Sequence, residues 1–313
     1  MTDKEKTYVT AVIYVHNCSS YIREFLKKTV SAIDGIFESS DMVFVNDASD
    51  DASVDIIKQT LTEMKYGNAL VINLNSYHGL EAAMRSGIEY SVGDYVFEFD
   101  HVYPDFEPSL IADIFHKAQE GYDIVSAVPD RRAKMSSRIF YRLFSAANGN
   151  RYKMRTDSFR IISRRAVNRI YSDNTTIPYR KFAYAASGFE SAQVEYVPVE
   201  QYRRGSKDSE SNYRIDLAVD SFILFTKLSF RFSIAMTVLM SLISVFMLGY
   251  SLFIYLASQP IEGWTTTILF LSVAFMGLFG ILSIVIKYLQ LIINLLYTRR
   301  SYSIKSIEKI TDQ

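Results

Sequence analysis

Two stretches without a charged side chain, Phe232 to Ile261 and Gly263 to Ile286, constrain this 313-residue chain more than any other feature. Each meets the roughly 20 apolar residues needed to cross a hydrocarbon core. A water-soluble domain seldom carries two such runs back to back, so they predict transmembrane helices at 232–257 and 263–286. The opening residues, MTDKEKTYVT, lack the apolar core of a signal peptide, so the preceding residues are expected to stay on the side where they are made. The link Ser258-Gln-Pro-Ile-Glu-Gly263 has no Lys or Arg. Lys227 and Arg231 precede the first run, and Arg299, Arg300, Lys305 and Lys309 follow the second. Basic flanks mark the cytoplasmic side, so a multi-pass inner-membrane protein is expected, with both termini and a tail at 287–313 in the cytoplasm. The single cysteine, Cys18, excludes an internal disulfide and suits a reducing compartment.

Upstream, the pattern changes to short β-rich runs alternating with helical ones. Strands are expected at Tyr8–His16, Asp41–Asp47, Ala69–Leu74, Asp94–Asp100 and Tyr122–Val128. Helices are expected at Ser20–Ile33, Asp51–Met64, Gly79–Ser91 and Glu107–Glu120. Near-continuous Val, Ile and Phe strands between helices imply a mostly parallel sheet covered on both faces, an α/β fold of the doubly wound, Rossmann-like class. Ligands of such sheets bind beyond the carboxyl ends of the strands. His16-Asn17, Asn46-Asp47 and Asp100-His101 all stand there. Further on, a helix near Ser136–Ala147 and strands near Ser158–Ile162 and Gln193–Val199 are expected, with a polar loop at Arg203–Asn212. This domain is read as residues 1–213; residues 214–231 are amphipathic and predict a helix along the headgroups.

Net charge is zero, yet the charges are segregated. Asp41 to Asp113 holds 14 acids against three bases, and Arg131 to Lys181 holds 14 bases against two acids. Beyond solvated faces, this suggests an acidic side suited to a cation and a basic side suited to phosphates and an anionic membrane surface. No nucleic-acid partner is expected.

Several short patterns follow in a fixed order: Val45-Asn-Asp-Ala-Ser-Asp-Asp-Ala-Ser53, Gly79-Leu-Glu-Ala-Ala-Met-Arg-Ser-Gly87, Gly93-Asp-Tyr-Val-Phe-Glu-Phe-Asp100, Asp157-Ser-Phe-Arg-Ile-Ile-Ser-Arg164 and Ser211-Asn-Tyr213. Gly263-Trp-Thr-Thr266 opens the second apolar run, and Arg300-Ser-Tyr-Ser-Ile304 lies near the end. Together these resemble the family 2 glycosyltransferases of GT-A fold, above all the polyprenyl-phosphate type that includes bactoprenol glucosyltransferases and dolichol-phosphate mannose synthases. The resemblance implies inverting transfer of a sugar from a nucleotide-sugar, with uridine the default base, to a polyprenyl phosphate such as undecaprenyl phosphate. The product would be a lipid-linked sugar for surface glycan or polysaccharide decoration. Homo-oligomers occur among such relatives.

The resemblance also implies roles. Asp47 matches the nucleotide-binding aspartate, with Asn46 where a second acid is usual. Asp51 matches the following acid, or caps the next helix. Gly79 would let a helix start lie near the nucleotide, or simply allow close packing. Tyr14, His16 and Asn17 fall at the base pocket, although the family more often has Pro, Tyr and Glu where Tyr14, His16 and Cys18 stand. The family's metal-binding Asp-x-Asp falls on Asp100 and Val102; an alternative register uses Glu98 and Asp100. Mg²⁺ or Mn²⁺ is therefore implied with Asp100 as its one motif ligand, since Mg²⁺ is often held by one or two carboxylates plus phosphates. Asp105 is a candidate helper, and His101 a candidate donor contact. Arg131, Arg132, Ser137, Arg138 and Arg160 resemble or cluster with positions that grip the acceptor phosphate. Asp157 would act as a base or orient Arg160. Arg203 and Arg204, before Ser211–Tyr213, resemble a basic loop that closes over the diphosphate. Asp100, Asp157, Arg131 and Arg138 are the catalytic candidates. Val102, Asn46 and Cys18 also fit a second reading, a non-catalytic nucleotide or lipid-phosphate binding relative that partners an active enzyme. A processive synthase fits poorly, because the single Trp264 opens an apolar helix instead of completing a Gln-x-x-Arg-Trp signature.

Overall fold

A computed structural model describes residues 4–130, 157–172, 180–199, 228–257, 263–296 and 302–310. The chain divides into two units, an α/β sheet domain that includes the last described strand, and a pair of long helices.

The sheet domain is built from β1 (Glu5–Val15), α1 (Ile22–Ile36), β2 (Phe37–Asn46), α2 (Ser53–Glu63), β3 (Ala69–Leu74), α3 (Leu80–Tyr90), β4 (Tyr95–Phe99), α4 (Ser109–Gln119), β5 (Ile124–Pro129), β6 (Phe159–Ser163), α5 (Arg164–Tyr171), α6 (Arg180–Ala186), β7 (Ser191–Tyr196) and β8 (Ile304–Ile310). The strands lie in the order β7-β5-β6-β4-β1-β2-β3-β8. β4, β1, β2 and β3 are mutually parallel, so their carboxyl ends share one rim. β6 runs antiparallel between β4 and β5, and β8 runs antiparallel on β3.

The central strands are apolar almost throughout because both faces are covered. Ala11, Ile13, Phe97, Phe99, Phe159 and Ile161 point to the layer holding Phe25, Leu26, Ile114 and Phe115 of α1 and α4. Val12, Val43, Val96 and Ile162 point the other way, toward Met84, Ile88, Val167 and Tyr184. Each wholly buried Phe or Leu contributes about 1.5–3 kcal/mol through removal from water. α3 lies close to the sheet because Gly87 carries no side chain: a Cβ there would meet Val12 Cγ1 at 2.4 Å and Val45 Cγ2 at 2.6 Å. The strand period of two also sends Glu98 and Arg160 to this second face, directly opposite each other in register.

Three features differ from the sequence expectation. β1 and β2 begin earlier, at Glu5 and Phe37. Two short helices that were not expected, α5 and α6, follow β6. The tail is not uniform: a long helix runs on to Leu296, and residues 304–310 form β8. Along IKSIEKI half-buried and exposed positions alternate, as in an edge strand with one covered face, although the isoleucines recur every third residue and leave Ile307 on the exposed side. Lys305, Glu308 and Lys309 put charge on that edge and disfavour pairing with other chains. The predicted helix at 136–147, the loop at 203–212 and residues 214–227 of the headgroup helix lie outside the described residues.

The second unit consists of α7 (Leu228–Ala257) and α8 (Trp264–Leu296). Ile234–Leu256 and Thr266–Leu289 are long and apolar enough to cross a membrane. Phe246 and Phe270 are about 70% exposed, as expected of side chains meant for a non-aqueous surrounding. Tyr250 packs edge-on against Trp264, with ring centroids 6.5 Å apart.

Candidate active site

The rim formed by the ends of β1, β2 and β4 gathers the polar residues expected there, in two separate groups. The first surrounds Asp47, just past β2, whose side chain is fully buried. Its Oδ1 accepts the His78 N–H at 2.8 Å, and its Oδ2 accepts the Gly79 N–H at 2.9 Å and the Tyr14 hydroxyl at 3.1 Å. Burial and the neighbouring Asp47 charge push the Tyr14 hydroxyl far above its ordinary range, so it stays a donor. Gly79 adopts φ +84°, a conformation that favours glycine, and so turns the chain into α3. Asp47 thus serves as the buttress of the α3 start. His16 holds the Asp47 backbone carbonyl through Nδ1 at 2.7 Å and packs its ring 4.8 Å from Tyr77. Tyr77, half out in solvent, extends this aromatic surface and was not singled out in the sequence.

The two loops beside it are laced together. Asn17, at φ +46°, accepts the Asp50 N–H at 2.9 Å through Oδ1 and donates its own N–H to Ser49 Oγ at 3.2 Å. Asp51 accepts the Ser19 N–H at 2.9 Å and the Ser53 N–H at 3.0 Å. Burial opposes its charge, but hydrogen bonds from Ser53 and Ser19 together outweigh it and hold its pKa down at about 2. Asp51 thus ties the loop after β1 to the turn before α2, whose N-cap is Ala52 and carries no side-chain cap bond. Burial pushes the Cys18 thiol up to about 11, which leaves it a packing residue. Asn46 donates to Asn73 Oδ1 at 2.8 Å, and Asn73 donates to Glu308 of β8 at 2.8 Å.

The second group centres on Asp100. Both of its oxygens are filled: Oδ2 by Arg160 Nη2 at 2.8 Å, and Oδ1 by Arg180 Nη2 at 2.6 Å. The same two arginines hold Glu98 Oε2 through their Nη1 atoms, at 2.9 and 2.7 Å. Each guanidinium therefore bridges both carboxylates of the strand. Arg160 Nε binds Asp157 at 2.9 Å, Arg180 Nε binds Glu81 at 2.9 Å, Lys181 pairs with Asp157, and Tyr184 donates to Glu98 at 2.5 Å. Arg160 is 0% and Arg180 1% exposed. Burial works against the Asp100 charge, yet Arg160, Arg180 and Lys181 hold it well below the carboxylate range. Asp157 is lowered in the same way, against burial, by Arg160 and Lys181. Glu98 is raised, because its complete burial outweighs both arginines.

Part of the charge segregation in the sequence thus cancels inside the domain: Glu81, Glu98 and Asp100 of the acidic segment meet Arg160 and Arg180 of the basic one. Arg160, expected at the acceptor phosphate, has its Nε and both Nη atoms committed to carboxylates and lies beneath the rim. Asp157, expected as a base or as the group that orients Arg160, is paired with Arg160 and Lys181. His101 packs against Tyr103, with ring centroids 5.4 Å apart. Arg180, Lys181, Glu81 and Tyr184 were missed. The legible signal was Glu98, a carboxylate between Phe97 and Phe99 that demands a buried counter-charge. Arg131, Arg132, Ser137, Arg138, Arg203 and Arg204 lie outside the described residues.

The implied Mg²⁺ or Mn²⁺ does not fit the residues at the end of β4. Asp100 has no oxygen without a guanidinium donor, and Val102, where the second acid falls, is 4% exposed within the apolar core. Among the described residues no group of three His, Cys, Asp or Glu side chains is placed to hold a metal ion.

Comparison with known proteins bears on this site. The family model described as Glycosyl transferase family 2 matches residues 10–185. An uncharacterized glycosyltransferase of Bacillus subtilis, YkcC, is 25% identical, with 96% of each chain covered. The undecaprenyl-phosphate 4-deoxy-4-formamido-L-arabinose transferase of Edwardsiella ictaluri is 26% identical, covering 66% of this chain and 63% of that one. Among solved structures, the mannosyltransferase PcManGT of Pyrobaculum calidifontis, in complex with GDP-Man and Mn²⁺, shares the fold with a TM-score of 0.51 at 15% identity, covering 70% of this chain and 64% of that one.

Proposed function

Because this chain belongs to glycosyl transferase family 2, we propose that it transfers a sugar from a nucleotide-sugar, by default a UDP-sugar, to a polyprenyl phosphate at the cytoplasmic face of the inner membrane. The observation that carries the proposal is a family 2 sheet whose own chain supplies two helices long and apolar enough to span a bilayer. Such helices would keep the domain where a lipid acceptor is concentrated. The likeness to an undecaprenyl-phosphate transferase over about two thirds of each chain, and the retained order of the rim motifs, support the same acceptor class.

The chemistry asks for little proton transfer. The acceptor phosphate is already an anion; one of its oxygens forms the new bond to the anomeric carbon from the face opposite the leaving group. The bond from that carbon to the nucleoside diphosphate breaks, and the electron pair leaves with the diphosphate. The carbon inverts. What the protein supplies is alignment and positive charge near the two phosphate-bearing partners. Arg131, Arg132, Ser137 and Arg138 are proposed for the acceptor phosphate, and Arg203 and Arg204 for the leaving diphosphate. Tyr14, His16, Asn17 and Asp47 are proposed to shape the base pocket, with Asp47 acting through the α3 start.

The test uses the full chain in detergent, with a panel of nucleotide-sugars and a polyprenyl phosphate. Nucleotide release together with a mass increase of the lipid by one sugar is expected. Release only with water-soluble acceptors would overturn the lipid assignment. The locked Asp100 and the apolar Val102 also favour a second reading, a binding subunit without turnover. Donor binding with no release across the whole panel selects it.

A further inference from the structure

We infer that this protein works with its donor without a divalent cation at the end of β4, and that Asp100 is a positioning residue for an arginine pair. The inference rests on the donor-binding reading above. A Mg²⁺ or Mn²⁺ site needs carboxylate lone pairs turned toward open space, completed by phosphate and water. Here they are turned inward. Asp100 spends its two oxygens on Arg160 and Arg180, at 2.8 and 2.6 Å, and Glu98 is held by the same two guanidinium groups.

Two further acids on this side of the rim, Asp157 and Asp105, are engaged as well. Asp157 is paired with Arg160 and Lys181. Asp105 is buried and accepts the Tyr196 hydroxyl at 3.2 Å. Val102 has no donor atom to offer and packs among apolar side chains. A cation entering beside Asp100 would have to lift a guanidinium off it, leaving a buried Nη2 without its acceptor while two like charges faced the metal. The carboxylates of Glu81, Glu98, Asp100 and Asp157 and the cations Arg160, Arg180 and Lys181 already balance one another closely.

The arrangement therefore does internally what a metal does elsewhere: it fixes the end of β4 and the start of α6 as one rigid piece. Charge growing on a leaving diphosphate must then be met by side-chain cations of this chain.

Two measurements on the full chain, stripped with EDTA in detergent, decide the matter. The first is electron paramagnetic resonance of added Mn²⁺, alone and with UDP or GDP, against protein-free controls. The expected result is that the protein removes no Mn²⁺ signal beyond the nucleotide control. The second is nucleotide release in EDTA compared with Mg²⁺ or Mn²⁺, expected to be equal. Stoichiometric Mn²⁺ binding that disappears in Asp100→Asn, with an unchanged melting temperature, overturns the inference; so does activity lost on chelation and restored by Mn²⁺. If no donor is turned over at all, the proposed activity fails, and the Mn²⁺ titration still decides this inference.

Discussion

At the scale of single residues, the site is organised by pairs that cannot be separated cheaply. Asp100 is one of three carboxylates on each of two buried guanidinium groups, so Asp100→Ala should lower the unfolding free energy by roughly 1–3 kcal/mol, because it leaves two buried N–H donors without an acceptor. Asp100→Asn, which keeps one acceptor, should cost less; denaturation followed by circular dichroism distinguishes them. A pH dependence follows from Asp51, Asp100 and Asp157, all held below the ordinary carboxylate range. Carboxylates with depressed folded-state values stabilise fully above the unfolded value of about 3.9 and lose that contribution as pH falls toward the folded value. Stability should therefore decline from about pH 4 downward. Asp51→Asn should remove the part of that decline between the ordinary range and its own value of about 2, which thermal melts across that interval would show. Sequence reading reached Asp47 and Asp100, because strand ends are marked locally by a change from apolar to polar residues. It missed Arg180 and Glu81 because their partners lie some 80 to 100 residues away, and nothing local names a distant partner.

At the scale of elements, most of the sheet was readable because buried strands and amphipathic helices carry distinct periods. β8 was hidden by its own pattern and its neighbours: seven residues with an isoleucine every third position, after a long apolar run, carry no strand period and look like an ordinary flank. It is tied into the rim by the chain of hydrogen bonds from Asn46 to Asn73 to Glu308, with Lys58 of α2 closing on Glu308 at 2.5 Å. This also explains the amide at position 46. A carboxylate there would face the Asn73 carbonyl oxygen with a second acceptor, and Asn73 would have to turn its amide away from Glu308. Asn73→Ala should cost about 1–2 kcal/mol and speed hydrogen exchange of the β8 amides more than those of β1. Gly87→Ala meets a harder obstacle, since the new methyl would press on Val12 and Val45 from within the packed layer. A loss of about 1–3 kcal/mol is expected, measurable by denaturant titration.

At the scale of the whole molecule, the sheet domain is discontinuous in sequence: its strands β1 to β7 precede the apolar helices and β8 follows them. A fragment stopped before Leu228, made to obtain a soluble enzyme, would bare the hydrogen-bonding edge of β3. It should associate or precipitate, whereas the same fragment with residues 302–313 joined through a flexible linker should stay monomeric; size-exclusion chromatography compares the two.

The late position of β8 also sets an order of events during synthesis. Roughly 110 residues separate the end of β7 from the end of β8, on the order of ten seconds of translation. Throughout that interval the nascent domain waits with one strand edge unmet, while the two long apolar helices are being made. Chaperone dependence should concentrate in that window, and a stalled hairpin would leave not only an unanchored enzyme but an unfinished one.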